Sequence, residues 1–191
     1  MRWFYRAALC ASLAALAAHT LEAQQLPERR GIWFGGGVGM GSARLSCSIC
    51  RSGRDGGASG YLRVGATVTR QVLIGAETMV WYHNEGQVDY LLGAVQAVVL
   101  LYPMKTNGFY LKTGFGIAQY SAKDNDDDAS TQALAGQVGV GYEVPVGRGM
   151  SIVPFANFMG TTGADLRFND TVSGLSANTS LFQLGVGLTL H

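Results

Sequence analysis

The chain has 191 residues, enough for one domain, and nothing in it demands two. Lys and Arg number 14 against 13 Asp and Glu, a formal net charge of +1 that removes any bulk electrostatic case for a nucleic-acid partner. Charged residues make up only 14%, Gly reaches 27 residues and Pro only 4, which excludes collagen-like repetition and is unusual for a soluble domain of this size.

The N-terminus reads as an export signal. Arg2 and Arg6 form a positive n-region, Ala7 to Ala18 an apolar stretch too short to span a bilayer, and Leu21-Glu22-Ala23 a small-residue cleavage site. Residues 1–23 are therefore expected to be a signal peptide and 24–191 the mature domain, which starts near Gln24. Cys10 leaves with the signal, so Cys47 and Cys50 remain, in an oxidising compartment. Past the signal no apolar run is long enough for a membrane helix.

The mature domain instead shows a period of two, in stretches of the length that a tilted strand needs to cross hydrocarbon. Eight are predicted. In the first, Gly31 to Ala43, Ile32, Phe34, Val38 and Met40 share a face and Gly dominates the other. The second, Gly60 to Val68, sets Leu62, Val64, Ala66 and Val68 against Tyr61, Arg63, Gly65 and Thr67. The third, Val72 to His83, sets Ile74, Ala76, Val80 and Tyr82 against Gly75, Glu77, Met79 and Trp81. A hairpin centred on Arg70 places Arg63 opposite Glu77. The fourth, Val88 to Leu101, is apolar on both faces, with only Gln96 marking an inside.

The fifth, Phe109 to Tyr120, alternates Leu111, Phe115 and Ile117 with Tyr110, Lys112 and Tyr120. The sixth, Ala133 to Val144, sets Leu134, Val138, Val140 and Tyr142 against Gln137 and Glu143, and a hairpin with the fifth brings Lys112 near Glu143. The seventh, Met150 to Phe158, turns Ile152, Pro154 and Phe158 outward and Asn157 inward; Pro154 in a closed sheet predicts a bulge. The eighth, Leu181 to His191, alternates Phe182, Leu184, Val186, Leu188 and Leu190 with Gln183 and glycines.

The links alternate in length. Arg44 to Ser59, Ser121 to Gln132 and Met159 to Ser180 are long and lie on one side with the short Asn84 to Gln87, while Thr69 to Gln71, Tyr102 to Gly108 and Pro145 to Gly149 are short and lie on the other. That asymmetry is the one expected of bacterial outer-membrane barrels. Aromatics near strand ends, Trp33, Phe34, Tyr102, Phe109 and Tyr142 at one rim and Trp81, Tyr82, Tyr90, Tyr120, Phe158 and Phe182 toward the other, suit interfacial girdles.

These segments, the Gly-rich Gly31-Ile32-Trp33-Phe34-Gly35-Gly36-Gly37-Val38-Gly39 and the closing Phe182-Gln183-Leu184-Gly185-Val186-Gly187-Leu188-Thr189-Leu190 resemble the small outer-membrane β-barrel proteins of the OmpA/OmpX/OmpW type. The resemblance covers Gln24 to His191 and implies an all-β, eight-stranded antiparallel up-and-down transmembrane barrel. The partners it implies are outer-membrane lipid, lipopolysaccharide and the barrel assembly machinery, with a monomer as the assembly state. The chain departs from the pattern in its last residue, His191, where such barrels usually end in an aromatic.

The inward polar set is Arg63, Glu77, Gln96, Lys112, Gln137, Glu143, Asn157 and Gln183. An eight-stranded barrel is only wide enough for its own side chains, so these groups are expected to pair and plug the lumen. The alternative is a narrow passage for small or hydrophobic solutes. Cys47-Ser48-Ile49-Cys50 suits a loop disulfide, since neither a zinc ligand set nor a thiolate-stabilising helix accompanies it. Asp124, Asp126 and Asp128 make a weak calcium candidate without the Gly and distal Glu of an EF-hand.

No phosphate loop or catalytic motif is present, and no cofactor is expected. Two further alternatives are a lipid A hydrolase acting through the rim residue His83 and a soluble lipocalin-like carrier with its apolar side inside.

Overall fold

The computed structural model describes residues 28–47, 53–123, 128–168 and 171–191, so the predicted signal peptide lies outside the described residues. The strands are β1 (Ile32–Ser46), β2 (Asp55–Thr69), β3 (Val72–Glu85), β4 (Val88–Leu101), β5 (Phe109–Lys123), β6 (Asp128–Tyr142), β7 (Val144–Gly147), β8 (Met150–Thr161), β9 (Ala164–Phe168) and β10 (Thr171–Leu190). β7 continues the line of β6 past Glu143, and β9 continues β8 past residues 162–163, so the barrel has eight staves. Every pairing is antiparallel, and β1 closes on β10 from Phe34↔Leu190 to Ser46↔Asn178. The predicted closed eight-stranded up-and-down barrel is the architecture observed.

Alternation sets which side chains face where. Val38 is 75% exposed, Met40 67% and Leu62 67%, whereas Trp33 and Trp81 are fully buried in the lumen. An outer wall so rich in exposed large apolar side chains is stable against hydrocarbon and not against water. The lipocalin-like arrangement would need this apolar face turned inward.

The strands outrun the prediction at one end only. β2 begins five residues before Gly60 and β10 ten before Leu181, so most of the links read as loops are strand. A 15-residue strand rises about 50 Å, or about 38 Å when tilted by about 40°, against an apolar band of about 25 Å. The surplus projects beyond the band at one end of the barrel, the loop end, while residues 69–71, 102–108 and 143–149 form the opposite, turn end. Beyond the band the outer face no longer needs apolar residues, so Asp55-Gly56-Gly57-Ala58-Ser59 carries no alternation to read.

Two further expectations are corrected. Pro154 produces no bulge: the β6–β8 ladder stops at Gly141↔Phe155 and resumes between β7 and β8 at Val144↔Ile152 in the same register. The gap between them is two positions wide, Tyr142 opposite Pro154 and Glu143 opposite Val153, and it includes the position where Pro154 has no N–H. Five of the predicted rim aromatics, Trp33, Trp81, Tyr90, Tyr102 and Tyr120, sit inside the barrel, whereas Phe34, Tyr82, Tyr142, Phe158 and Phe182 face outward. Glycines opposite make the space: a Cβ on Gly65 or Gly75 would lie 2.7 or 3.0 Å from the Trp33 ring.

The closing seam depends on close approach. Gly39 and Gly185 face each other across β1 and β10, and a Cβ on Gly39 would come within 2.0 Å of the Leu184 carbonyl oxygen. Gly39→Val is predicted to lower stability by about 1–3 kcal/mol through overpacking, read as a lower urea midpoint, whereas Gly56→Ala, with open space around its Cβ, is predicted to leave it unchanged.

Candidate functional site

Inward side chains stack in layers along the barrel axis. Toward the turn end lies an apolar cluster of Trp33, Leu73, Val98, Leu100, Tyr102, Tyr110 and Val153. Toward the loop end lies a larger one built around Tyr61, Met79, Trp81, Leu92, Tyr120, Phe155, Met159 and Leu181. Arg63, Glu77, Gln96, Lys112 and Gln137 occupy the level between them, all buried. The apolar inner face of β4 is thus accounted for: Leu92 and Ala94 belong to one cluster, Val98 and Leu100 to the other, and Gln96 to the polar layer between.

The polar layer centres on one carboxylate. Lys112 Nζ donates to Glu77 Oε1 at 2.7 Å and Oε2 at 2.9 Å, and Gln137 Nε2 donates to Oε1 at 2.9 Å. Arg63 stands opposite Glu77 in the ladder, but its guanidinium leads elsewhere. It donates to the Tyr110 hydroxyl from Nη1 and Nη2, each at 3.3 Å, and from Nη2 to Thr189 Oγ1 at 3.2 Å. The rings of Trp33, Tyr61 and Tyr110 surround it, with centroids 5.0–5.5 Å from Cζ. Asn157 Nδ2 donates to Gln183 Oε1 at 3.4 Å, and the Gln96 amide has no hydrogen bond to a described residue.

The two expected ion pairs are therefore rearranged. Cross-strand register alone pointed to Arg63 with Glu77, yet in a narrow lumen a long cation reaches across the barrel, so Lys112 from β5 takes Glu77 on β3. Lys112 does not meet Glu143, because its ladder partner is Gly139 and Glu143 lies beyond the end of β6.

Glu143 instead forms a clasp at the turn end. Its carboxylate accepts from Arg29 Nε and Nη2 at 3.2 and 3.1 Å and from the Tyr102 hydroxyl at 2.6 Å, and lies 3.1 Å from His191 Nε2. Arg29 also stacks on Tyr102, 3.6 Å from the ring centroid, and the His191 N–H donates to the Gly149 carbonyl. Arg29 and His191 were not foreseen as lumen groups. Both flank the strand pattern, and only the tertiary closure of the barrel delivers them to one acid.

The loop end is more open. His83 is half-buried and stacks on Trp81 at 5.9 Å and on Tyr90 at 5.8 Å, an aromatic ladder and not an acid-base pair. On the outer rim Tyr82 and Asn84 donate to Asp89 at 2.6 and 2.7 Å and hold its carboxyl below the usual range. Arg54 crosses the seam, donating to Ser42 Oγ and Ser180 Oγ. Cys47 lies half-buried just past β1, while Cys50, Asp124 and Asp126 fall outside the described residues; Asp128 begins β6. Among the described residues no group of three or more His, Cys, Asp or Glu is placed to hold a metal.

Glu77→Ala strands the Lys112 ammonium in the lumen and is predicted to destabilise the barrel by about 3–5 kcal/mol, whereas the double change Glu77→Leu with Lys112→Met should recover most of that loss. Urea titration of the reconstituted protein measures both, and equal midpoints for the wild type and Glu77→Ala would refute the pairing. Glu143→Ala is predicted to act in the same direction, by leaving Arg29 buried without its carboxylate.

No family model matches the chain, and no curated protein matches it. Solved structures do. Neisserial surface protein A superposes with a TM-score of 0.62 at 13% identity over 84% of this chain and 96% of its own. Ail, the attachment invasion locus protein of Yersinia pestis, gives 0.58 at 11% identity over 84% and 99%. OprG from Pseudomonas aeruginosa gives 0.50 at 14% identity over 86% and 98%. Identities this low speak for the fold alone, and the fold agrees over nearly the full length of each barrel. The chain has the fold of the small eight-stranded outer-membrane β-barrels of the OmpA/OmpX/OmpW type.

Proposed function

We propose that the protein is a monomeric, non-enzymatic barrel of the bacterial outer membrane, exported by residues 1–23, whose lumen is a plug and whose work is done at the loop end. The observation that carries this reading is the Lys112–Glu77 pair at 2.7 Å, buried between two apolar layers. Charges so placed stabilise the barrel interior through pairing and leave the projecting strand ends as the accessible surface. Surface interaction or envelope integrity is then the role, and attachment, from which Ail takes its name, is the kind of interaction such a surface serves. Lipid and lipopolysaccharide surround the wall, the assembly machinery inserts it, and a Cys47–Cys50 disulfide staples the first loop.

A second reading, a narrow passage for small solutes, draws on the polar layer. Both amide atoms of Gln96, the Gln137 Oε1, the Gln183 Nε2 and the Arg63 Nε are buried without a hydrogen-bond partner among the described residues, and such groups favour contact with water. Planar-bilayer recording separates the two readings: the plug predicts no discrete conductance steps from the wild type, and resolved channels would replace it with the passage. Heat-modifiable gel mobility of the membrane-extracted protein tests the outer-membrane barrel itself.

A further inference from the structure

We propose that the outer face of the closing seam, where β1 meets β10 and β2 begins, seats one phosphate of lipopolysaccharide between Arg44 and Arg54, with the acyl chains of the same molecule on the apolar rows beneath. The proposal rests on the membrane reading above, which sets lipopolysaccharide around the loop end, and names the residues that would recognise it.

The ladder brings the two cations together. Arg44 pairs with Ser180 across the seam and lies on the outer face, in step with the exposed Val38 and Met40. Arg54, just ahead of β2, donates from Nη1 to the hydroxyl of that same Ser180 at 3.2 Å, from Nε to Ser42 Oγ at 3.1 Å and from Nη2 to the Ser42 carbonyl. Ser180 therefore neighbours both arginines.

Their charge is unmet within the described residues. All three acceptors of Arg54 are neutral, and Arg44 is exposed with no hydrogen bond or ion pair to a described residue. Of the carboxylates closest in chain or ladder, Asp55 shares the inner face with its partner Ala43, and Asp165 pairs with Ser176, about 13 Å farther along β10 than Ser180. Lys123, on β5 across the barrel, is different, because it stands in the ladder between Asp89 and Asp128. Two arginines set side by side repel each other, and an anion between them replaces that repulsion with attraction.

Chemistry and position select the occupant. A guanidinium carries five N–H donors, so the three bonds of Arg54 leave one N–H on each terminal nitrogen, a fork suited to two oxygens of one phosphate. Ser42 and Ser180 already hold that guanidinium, which reduces the freedom lost on binding. One row toward the turn end stand Phe182 and Phe158, and the next row carries Met40 and Leu184, all exposed. The cations thus sit directly above apolar wall, at the level where lipid A carries phosphorylated sugars over its acyl chains. A soluble polyanion would engage the arginines and leave those rows unused.

The test titrates the full-length mature barrel, refolded in detergent micelles and checked by heat-modifiable mobility, with bisphosphorylated lipid A in native mass spectrometry. Wild type is expected to hold one lipid A, and Arg44→Gln and Arg54→Gln are each expected to raise the apparent Kd about tenfold. Lipid A stripped of its phosphates is expected to bind the wild type as weakly as bisphosphorylated lipid A binds the double variant, whereas Lys123→Gln is expected to leave the Kd unchanged. Equal binding of the two lipids by the wild type, or of bisphosphorylated lipid A by the wild type and the folded double variant, overturns the seat while leaving the membrane barrel standing. A soluble heparin fragment whose binding needs both arginines while that of lipid A does not assigns the pair to a sulfated glycan and also overturns it. A wild-type chain without heat-modifiable mobility sinks the membrane reading, and the seat with it.

Discussion

Everything in this molecule depends on the need to leave no backbone donor or acceptor facing hydrocarbon. A sheet meets that need only by closing on itself, and here β1 and β10 close it over thirteen consecutive register pairs. Eight staves make the smallest common closure, a width that the barrel's own side chains can fill. Every inward residue is therefore chosen under two pressures at once, volume and pairing. Glycine appears wherever a neighbour needs the space, as Gly35 does beneath Arg63 and Gly141 beneath Tyr110.

Layering is how the lumen reconciles charge with low polarity. An ammonium and a carboxylate sealed between apolar layers lose much of their hydration, and their direct contact returns that loss only when the remaining lone pairs are also met. Gln137 meets one of those at Glu77. Among the described residues Arg63 has no carboxylate in contact and is held by two hydroxyls and three aromatic rings instead, a softer environment that suits a weakly hydrated guanidinium. At the turn end Glu143 gathers Arg29 ahead of β1, Tyr102 after β4 and His191 after β10, so a single acid ties together segments far apart in the chain. The break in the β6 ladder next to Pro154 is what frees Glu143 to be there.

What was legible in the sequence divides along physical lines. Strand number, direction and facing were readable because a strand between lipid and a packed lumen must alternate, and β4 matches its predicted bounds of Val88 and Leu101 because both of its turns fall near the edge of the apolar band. Strand length was not readable at the loop end, where outward residues meet no hydrocarbon and Thr171 to Ser180 shows no alternation. Facing told which groups share the lumen but not which touch: the reach of Lys112 across the barrel depends on curvature and shear, which a linear pattern does not encode. Trp33 was misplaced at a girdle for a related reason, as was Trp81 despite sharing a face with Glu77. An aromatic near a strand end suits a girdle equally well from either face, and only parity, Trp33 alternating with the outward Ile32 and Phe34, decides between them.

The division of labour between wall, lumen and mouth bears on where function resides. Each charged group in the lumen is held by partners from other strands, and the Glu143 clasp lies at the turn end. The loop end has few such constraints: His83 and Tyr90 rise on an aromatic stack toward the opening, and the strand ends beyond the apolar band carry polar outer faces. A surface free to vary above a core that is not is the arrangement in which binding specificity changes without unfolding the protein. Strand extension orders that surface, because the projecting segments of β2 and β5 keep their ladder pairing where loops would not. The same closure that satisfies the membrane thus continues upward beyond the apolar band, and the proposed role in surface interaction calls on the chemistry of those strand ends rather than on that of the lumen.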